Sequence, residues 1–199
     1  AIHHTATHLL NAALRKQLGT HITQAGSLVS PNKLRFDFTH GEKISDQMLQ
    51  DIEDDVNQEI QNNVAIRIQE MGLNEAKELG ALATFGETYG DVVRVVSIGE
   101  HNIELCGGNH VRKTGLIERC KLIKQSSVAA GVRRIEAICY NSFVTHFLDE
   151  EKATLKEQID LKIKKIKEHP NYSEGFVSLP KCDEPITVNS LARRLSKLE

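Results

Sequence analysis

Two pairs of side chains, each with a four-residue spacing, carry atoms of the kind that bind metals. His4 and His8 lie in a helix-forming stretch, so they are one helical turn apart and share a face. Cys106 and His110 enclose Gly107-Gly108, which is typical of a tight turn that brings a thiolate and an imidazole together. One sulfur and three nitrogens suit zinc in tetrahedral geometry. The sequence therefore predicts one zinc ion per chain, bound by His4, His8, Cys106 and His110.

Other interpretations of these residues remain open. A single histidine pair at helical spacing is usually two unrelated side chains, and only the second pair favours a shared ligand set. The main chemical alternative is a cysteine nucleophile, with Cys106 activated by a nearby histidine. We rank it lower, because it leaves His4 and His8 without a role. His3 lies one position off their face and is left out of the ligand set.

The first ligand pair needs a helix and the second needs a rigid strand end. A helix is predicted over residues 2–18, because apolar residues recur at helical spacing and Gly19 is placed to end it. Strands are predicted over 92–98 and 102–105. They deliver the Cys106 turn at the end of a strand, where a scaffold holds a ligand loop in place.

The remaining elements surround these two. Alternation in Leu34, Phe36 and Phe38 predicts a strand with Arg35 and Asp37 facing outward. The other predicted strands are 22–29, 64–68, 116–124 and 132–138, with a loop over 125–131; the other predicted helices are 46–62 (capped by Ser45), 74–79, 141–168 and 191–198. This mixture predicts an α+β fold, an antiparallel sheet flanked by helices and followed by a helical appendage.

Composition limits the class of protein. The chain has 199 residues, of which 40% are hydrophobic and 26% charged, as in soluble globular proteins, and it has no membrane-length apolar run. The net charge of −2 means that any RNA contact must come from local basic patches. The four cysteines form no CxxC pair, which fits a reducing compartment. Because the chain begins at Ala1 without Met, we expect it to be a piece of a longer protein.

Six blocks of the chain resemble the editing domain of alanyl-tRNA synthetase, which also occurs in free-standing alanyl-tRNA editing proteins and, more distantly, in threonyl-tRNA synthetase. The blocks occur in the family's order over residues 1–140, and the resemblance fades after Tyr140. They are HTATHLLNAALR (4–15), QAGSLV (24–29), LRFDF (34–38), FGETYG (85–90), CGGNHV (106–111) and GVRRIEA (131–137). The resemblance implies an editing domain over 1–140, with a helical connector over 141–199.

The activity implied by the resemblance is hydrolysis of the ester that joins a wrong amino acid to alanine tRNA. Serine and glycine are the implied wrong amino acids. Serine differs from alanine by one hydroxyl, and we expect Thr7 and Gln24 to be the catalytic-pocket side chains that recognise it. The implied partners are mischarged alanine tRNA and the remaining domains of a cytoplasmic parent synthetase, which would ligate alanine with ATP. This piece would edit without charging tRNA.

Basic residues supply the predicted tRNA contacts. Arg133 and Arg134 bring guanidinium groups that match phosphate geometry, and Arg112 with Lys113 extends the patch. Such pairs often serve solubility alone, so the patch by itself is weak evidence.

One residue of the Cys106–His110 turn departs from the family's usual pattern. The family usually has Thr in the Cys-Gly-Gly-Thr-His turn, and Asn109 stands there in this chain. We expect the metal set to survive this change, since Asn keeps a polar side chain.

Two other interpretations of the chain's function stay open: a free-standing editing protein, and a zinc-stabilised RNA-binding module without catalysis.

Overall fold

Helices and strands of an α+β fold are present in the computed structural model, which describes residues 1–83, 89–100, 102–168 and 187–197. The chain divides into two units, Ala1–Val144 and Thr145–Glu199. The helices are α1 (Ile2–Leu18), α2 (Asp46–Gln61), α3 (Leu73–Glu78), α4 (Asn141–Lys167) and α5 (Val188–Ser196). The strands are β1 (Gln24–Val29), β2 (Leu34–Thr39), β3 (Ile66–Gly72), β4 (Val92–Ile98), β5 (Asn102–Leu105), β6 (Cys120–Ala129) and β7 (Val132–Cys139). The predicted fold class is confirmed.

Helix α1 lies at the centre of the first unit and has the predicted bounds. Its apolar face, which includes Leu10 and Leu14, is fully buried, so packing rather than local propensity holds the helix. The helix ends where Gly19 adopts a φ of +113° and its N–H bonds to the carbonyl of Arg15. Arg15 also donates to the carbonyl of Ile22 at 2.6 Å, which connects the helix end to the start of the first hairpin.

A four-stranded antiparallel sheet, in the order β1-β2-β7-β6, packs against α1 and α2. Phe36 and Phe38 of β2 are fully buried on its inner face, as the alternation predicts. Asp37 is on the opposite face but only 7% exposed, which differs from the solvated position predicted for it. The reason is long-range: Arg134 of the neighbouring strand covers it with two hydrogen bonds.

Helix α2 closes the outer edge of β6. Its N-terminus is capped as predicted, with Ser45 Oγ accepting a hydrogen bond from the N–H of Met48. The side-chain amide of Asn57 bonds both the N–H and the carbonyl of Cys120, as a neighbouring strand would. Glu53 accepts a hydrogen bond from the N–H of Leu122. These side chains satisfy backbone groups that would otherwise form an open sheet edge.

The second sheet delivers the ligand turn. Its antiparallel order is β3-β4-β5, and β4 and β5 have the predicted bounds. Val96 and Ile98 of β4 join the core around α1, whereas Val93 and Val95 pack with Leu105 in a smaller cluster. Both faces of β4 are therefore buried, which fixes the position of the residues that follow β5.

Two predicted boundaries are wrong. The strand predicted over 116–124 begins only at Cys120, because Thr114–Ile117 form a 3₁₀ turn in which buried Thr114 bonds the carbonyl of Glu59 and the N–H of Val64. The loop predicted over 125–131 is instead the end of β6, which continues to Ala129. Gln125 is held there by paired hydrogen bonds to the backbone of Ile44.

Smaller shifts occur elsewhere. Strand β3 starts at Ile66 rather than at 64, after Asn63 with a φ of 50°. Helix α5 starts at Val188 rather than at 191, because Thr187 and Ser190 cap each other's backbone N–H groups.

Predictions for 85–88 and for the loop-like segment 169–186 lie outside the described residues. The units divide after Val144, and the predicted division at residue 140 stays a prediction. Within the described ranges, no helix has the length and apolar character needed to cross a membrane.

Candidate metal centre

The first ligand pair is positioned by the buried face of α1. His4 and His8 have ring centroids 5.2 Å apart, as one helical turn requires. His110 lies against both, with centroid distances of 4.5 Å to His4 and 4.8 Å to His8. His3 points elsewhere, and its Nε2 accepts a hydrogen bond from the N–H of Cys139. Burial lowers the pKa of His3.

The second pair is carried by a turn that Arg94 holds in place. Arg94, on β4, donates to the carbonyls of Cys106 at 2.6 Å and Gly108 at 2.7 Å. The N–H of Gly108 in turn donates to Cys106 Sγ. A Cβ at position 108 would lie 1.8 Å from Cε1 of His4, so only glycine allows the turn to approach the helix this closely.

The four predicted ligands meet at one point. Cys106 Sγ lies 3.4 Å from Nε2 of His4 and 3.4 Å from Nε2 of His110, and one ligand atom from each of the four residues lies within 4.8 Å of the others. Bond lengths of about 2.3 Å to sulfur and about 2.0 Å to nitrogen place tetrahedral zinc ligands about 3.5 Å apart. The donor types and the two sulfur–nitrogen distances therefore suit a zinc ion, and the other donor atoms lie near enough to join the same cluster. Among the described residues this is the single such cluster.

The electrostatics of the cluster favour a thiolate. Burial raises the pKa of Cys106, but hydrogen bonds from His110, His4 and His8 outweigh it and bring the pKa to about 3. Burial likewise lowers the pKa of His8, and hydrogen bonds with Cys106 and Glu104 more than offset this, giving a pKa of about 9. Burial lowers the pKa of His110. Without a metal, a proton on His8 thus balances the charge of the thiolate.

Outer partners fix the ligand orientation, and sequence reasoning missed them. Glu104 Oε2 accepts from Nδ1 of His8 at 2.9 Å, which turns Nε2 of that ring toward the cluster. Its other oxygen accepts from Asn11 at 3.1 Å. Nδ1 of His110 lies 3.1 Å from Oγ1 of Thr5. The sequence did contain a signal for Glu104 as such a partner. It stands two residues before Cys106, and alternate residues of a strand face the same side.

A cavity of about 400 Å³ is lined by three of the four predicted ligands, His4, His8 and Cys106. Thr7 and Gln24, the two residues predicted to recognise substrate, both line it. Thr7 Oγ1 donates its proton to the carbonyl of His3 at 2.8 Å, so it presents lone pairs as an acceptor. Gln24 donates to Ser27 at 3.4 Å. The structure thus brings both residues to the metal cluster, although their roles stay predictions.

Comparison with known proteins tests the family resemblance of the chain. Residues 93–136 match the Threonyl and Alanyl tRNA synthetase second additional domain. The chain is 51% identical over 152 residues to an alanine--tRNA ligase of Acetivibrio thermocellus and 48% identical over 171 residues to one of Listeria monocytogenes. It is 47% identical over 197 residues to one of Helicobacter acinonychis. The chain matches an editing-domain fragment of an alanyl-tRNA synthetase. The resemblance is confirmed.

The alignments cover most of this chain but only a small part of each relative. The three alignments cover 76, 86 and 95% of the fragment but 17, 19 and 23% of the relatives. The fragment thus spans about a fifth of the length of the curated relatives that it matches. The family match over 93–136 includes Cys106 and His110, whereas His4 and His8 lie before it.

The predicted tRNA-contact residues of the fragment do not form one patch. Arg133 and Arg134 are consecutive in β7 and therefore face opposite sides of the sheet. Arg133 donates to Gln125 on the inner side, whereas Arg134 pairs with Asp37 on the outer side. Arg112 and Lys113 are exposed and lie outside this sheet. Their contact with tRNA stays a prediction.

Proposed function

We propose that the fragment hydrolyses the ester between a wrong amino acid and alanine tRNA, with serine and glycine as the amino acids removed. The observation that carries the proposal is the cavity in which a zinc-type ligand set meets Thr7 and Gln24. The alanine--tRNA ligase relatives support alanine tRNA as the partner. Ligation of alanine with ATP is assigned to the remaining domains of a parent synthetase, in the cytoplasm.

The need for such a site follows from the size of the amino acids. An aminoacylation site that accepts alanine discriminates against an amino acid with one extra or missing small group by only about 1–3 kcal/mol. A second site that tests the product can use the hydroxyl of serine, because a buried acceptor left without its donor disfavours alanine. Thr7 presents such an acceptor, and Gln24 adds a side chain that both donates and accepts.

We further propose that one zinc ion is held by His4, His8, Cys106 and His110. Four protein ligands are typical of a closed site, so its first task is to lock α1 against the Cys106 turn and shape the cavity. When bound, zinc also supplies Lewis-acid chemistry to oxygen ligands. The ester is then positioned by Thr7 and Gln24, which lie 99 and 82 positions before Cys106 in sequence but line the same cavity as that residue.

Release of serine from serine-charged alanine tRNA tests the proposal. We expect the fragment to release serine, to spare alanine-charged tRNA, and to lose this activity when a chelator removes its zinc. Replacing Gln24 with alanine should reduce serine release while zinc content stays at one per chain. Full zinc content without any serine release would instead support a zinc-stabilised RNA-binding module.

A cysteine nucleophile is the second candidate, and the low pKa of Cys106, about 3, is the observation in its favour. Alkylation by iodoacetamide, located by peptide mass spectrometry, separates the two. We expect zinc to slow modification of Cys106 at least about tenfold, because the thiolate is engaged by the metal. Buried Cys120 and Cys139 are internal references. Rapid alkylation of the zinc-loaded protein with loss of turnover would support the nucleophile.

A further inference from the structure

The outer face of the four-stranded sheet carries a group of basic side chains that the catalytic proposal does not use. Strand register places Arg35 opposite Glu136, and Glu136 opposite Lys124. It also places Asp37 opposite Arg134. Lys33 reaches the same face through its ion pair with Glu136 at 2.5 Å. We call the four cations Lys33, Arg35, Lys124 and Arg134 the basic face.

The two acids of this surface lie beneath the cations. The side chains of Asp37 and Glu136 are 10% and 15% exposed. Those of Lys33, Arg35 and Arg134 are 48%, 33% and 25% exposed, and Lys124 is exposed as well. Four cations over two anions leave a net charge of +2 on the surface, in a chain whose net charge is −2. The acids thus orient the cations, and positive charge is what faces outward.

The basic face and the metal cavity share an edge strand. In β1, Gln24 and Ser27 line the cavity. Gly26 and Leu28 pair with Asp37 and Arg35, so they belong to the basic face. Gly26 has no side chain, which leaves the face flat beside the guanidinium groups. A polyanion that enters the cavity at one end can therefore continue around β1 onto the basic face.

We propose that the basic face binds the phosphate backbone of RNA, and that its natural occupant is the tRNA whose charged end enters the metal cavity. Lysine ammonium groups and the guanidinium N–H groups that Asp37 leaves unused can donate to phosphate oxygens, which requires no reading of base sequence. The identity of the RNA as alanine tRNA rests on the proposed function, whereas the charge complementarity does not.

Two lysines give a clean test, because Arg35 and Arg134 also pair with buried Asp37, so replacing either would leave a buried carboxylate with fewer partners. We compare the wild-type chain with the double variant Lys33→Gln and Lys124→Gln. The matched control is the double variant Arg67→Gln and Lys77→Gln, which removes the same charge at exposed positions on β3 and α3, outside this sheet. The probe is uncharged alanine tRNA, and its affinity is measured over a series of salt concentrations.

We expect the lysine double variant to weaken tRNA binding about tenfold at low salt and to reduce the slope of log affinity against log salt by about 2, or about 1 per lost phosphate contact. The control should keep the wild-type slope. Unchanged binding in the lysine variant, or an equal loss in the control, overturns the inference. Circular dichroism confirms that both variants fold.

Serine release, measured on the same proteins, keeps the two proposals distinct. A lysine variant with lower tRNA affinity but an unchanged rate at saturating tRNA supports both. If no protein releases serine while tRNA affinity follows the basic face, the proposed function fails and the basic face stands. If serine release is normal and tRNA affinity ignores the lysines, the basic face alone fails.

Discussion

Replacing Gly108 with alanine is expected to lower zinc affinity by about a hundredfold or more. The new Cβ would lie 1.8 Å from Cε1 and 2.4 Å from Nδ1 of His4, which is far inside contact distance. Arg94 restrains the turn against moving away, because it donates to the carbonyls of both Cys106 and Gly108. His4 must therefore leave the cluster. If four ligands supply about 10–16 kcal/mol, one of them is worth about 3 kcal/mol.

Gly107→Ala is the matched control for this prediction. A Cβ at Gly107 meets nothing within 4 Å, so the neighbouring substitution adds the same methyl group to the same turn without a clash. Competition with a chromophoric chelator measures both affinities. Equal zinc affinity in the two variants would show that His4 is not a ligand, or that the turn moves freely.

Local patterns were enough to predict the elements that carry the ligands. The bounds of α1, β4 and β5 follow from apolar periodicity and from the glycine that ends the helix. The Ser45 cap was equally local. The ligand set could be proposed because each pair has a short spacing that the local element converts into a shared direction.

Long-range contacts account for the errors. The start of β6 depends on Thr114 bonding Glu59 and Val64, which are 55 and 50 residues away in sequence. The extension of β6 depends on Gln125 bonding the backbone of Ile44, 81 residues away. No local pattern contains these partners. They override the preference of small residues in 126–131 for a loop.

The sequence did contain enough information to show that Arg133 and Arg134 lie on opposite faces of the sheet. Arg133 and Arg134 occupy consecutive positions in a strand that was predicted, so alternation alone places them on opposite faces. What the sequence could not supply is the partner of Arg134. Asp37 lies 97 residues earlier and comes opposite it only when β2 pairs with β7. Charge clusters in strands therefore have to be judged by register.

Replacing Glu104 with glutamine is expected to weaken zinc binding about 10-fold to 100-fold, the usual effect of losing a carboxylate behind a ligating histidine. The substitution keeps the size of a side chain that is only 9% exposed, but removes the charge that orients His8. Glu100→Gln is the control, because it removes the same charge from an exposed position four residues earlier. Chelator competition and circular dichroism are measured for both.

The pH dependence separates an effect through His8 from an effect on packing. At pH 7 zinc must displace the proton that His8 holds in the metal-free protein, where its pKa is about 9. The variant loses the Glu104 charge that helps to raise this pKa, so displacing the proton costs less free energy and the measured loss of zinc affinity at pH 7 is smaller than the full loss. At pH 10.5, well above this pKa, neither protein holds that proton and the full loss of zinc affinity appears. A loss of affinity that is the same at pH 7 and pH 10.5 would mean that Glu104 acts through the packing of α1 and not through His8.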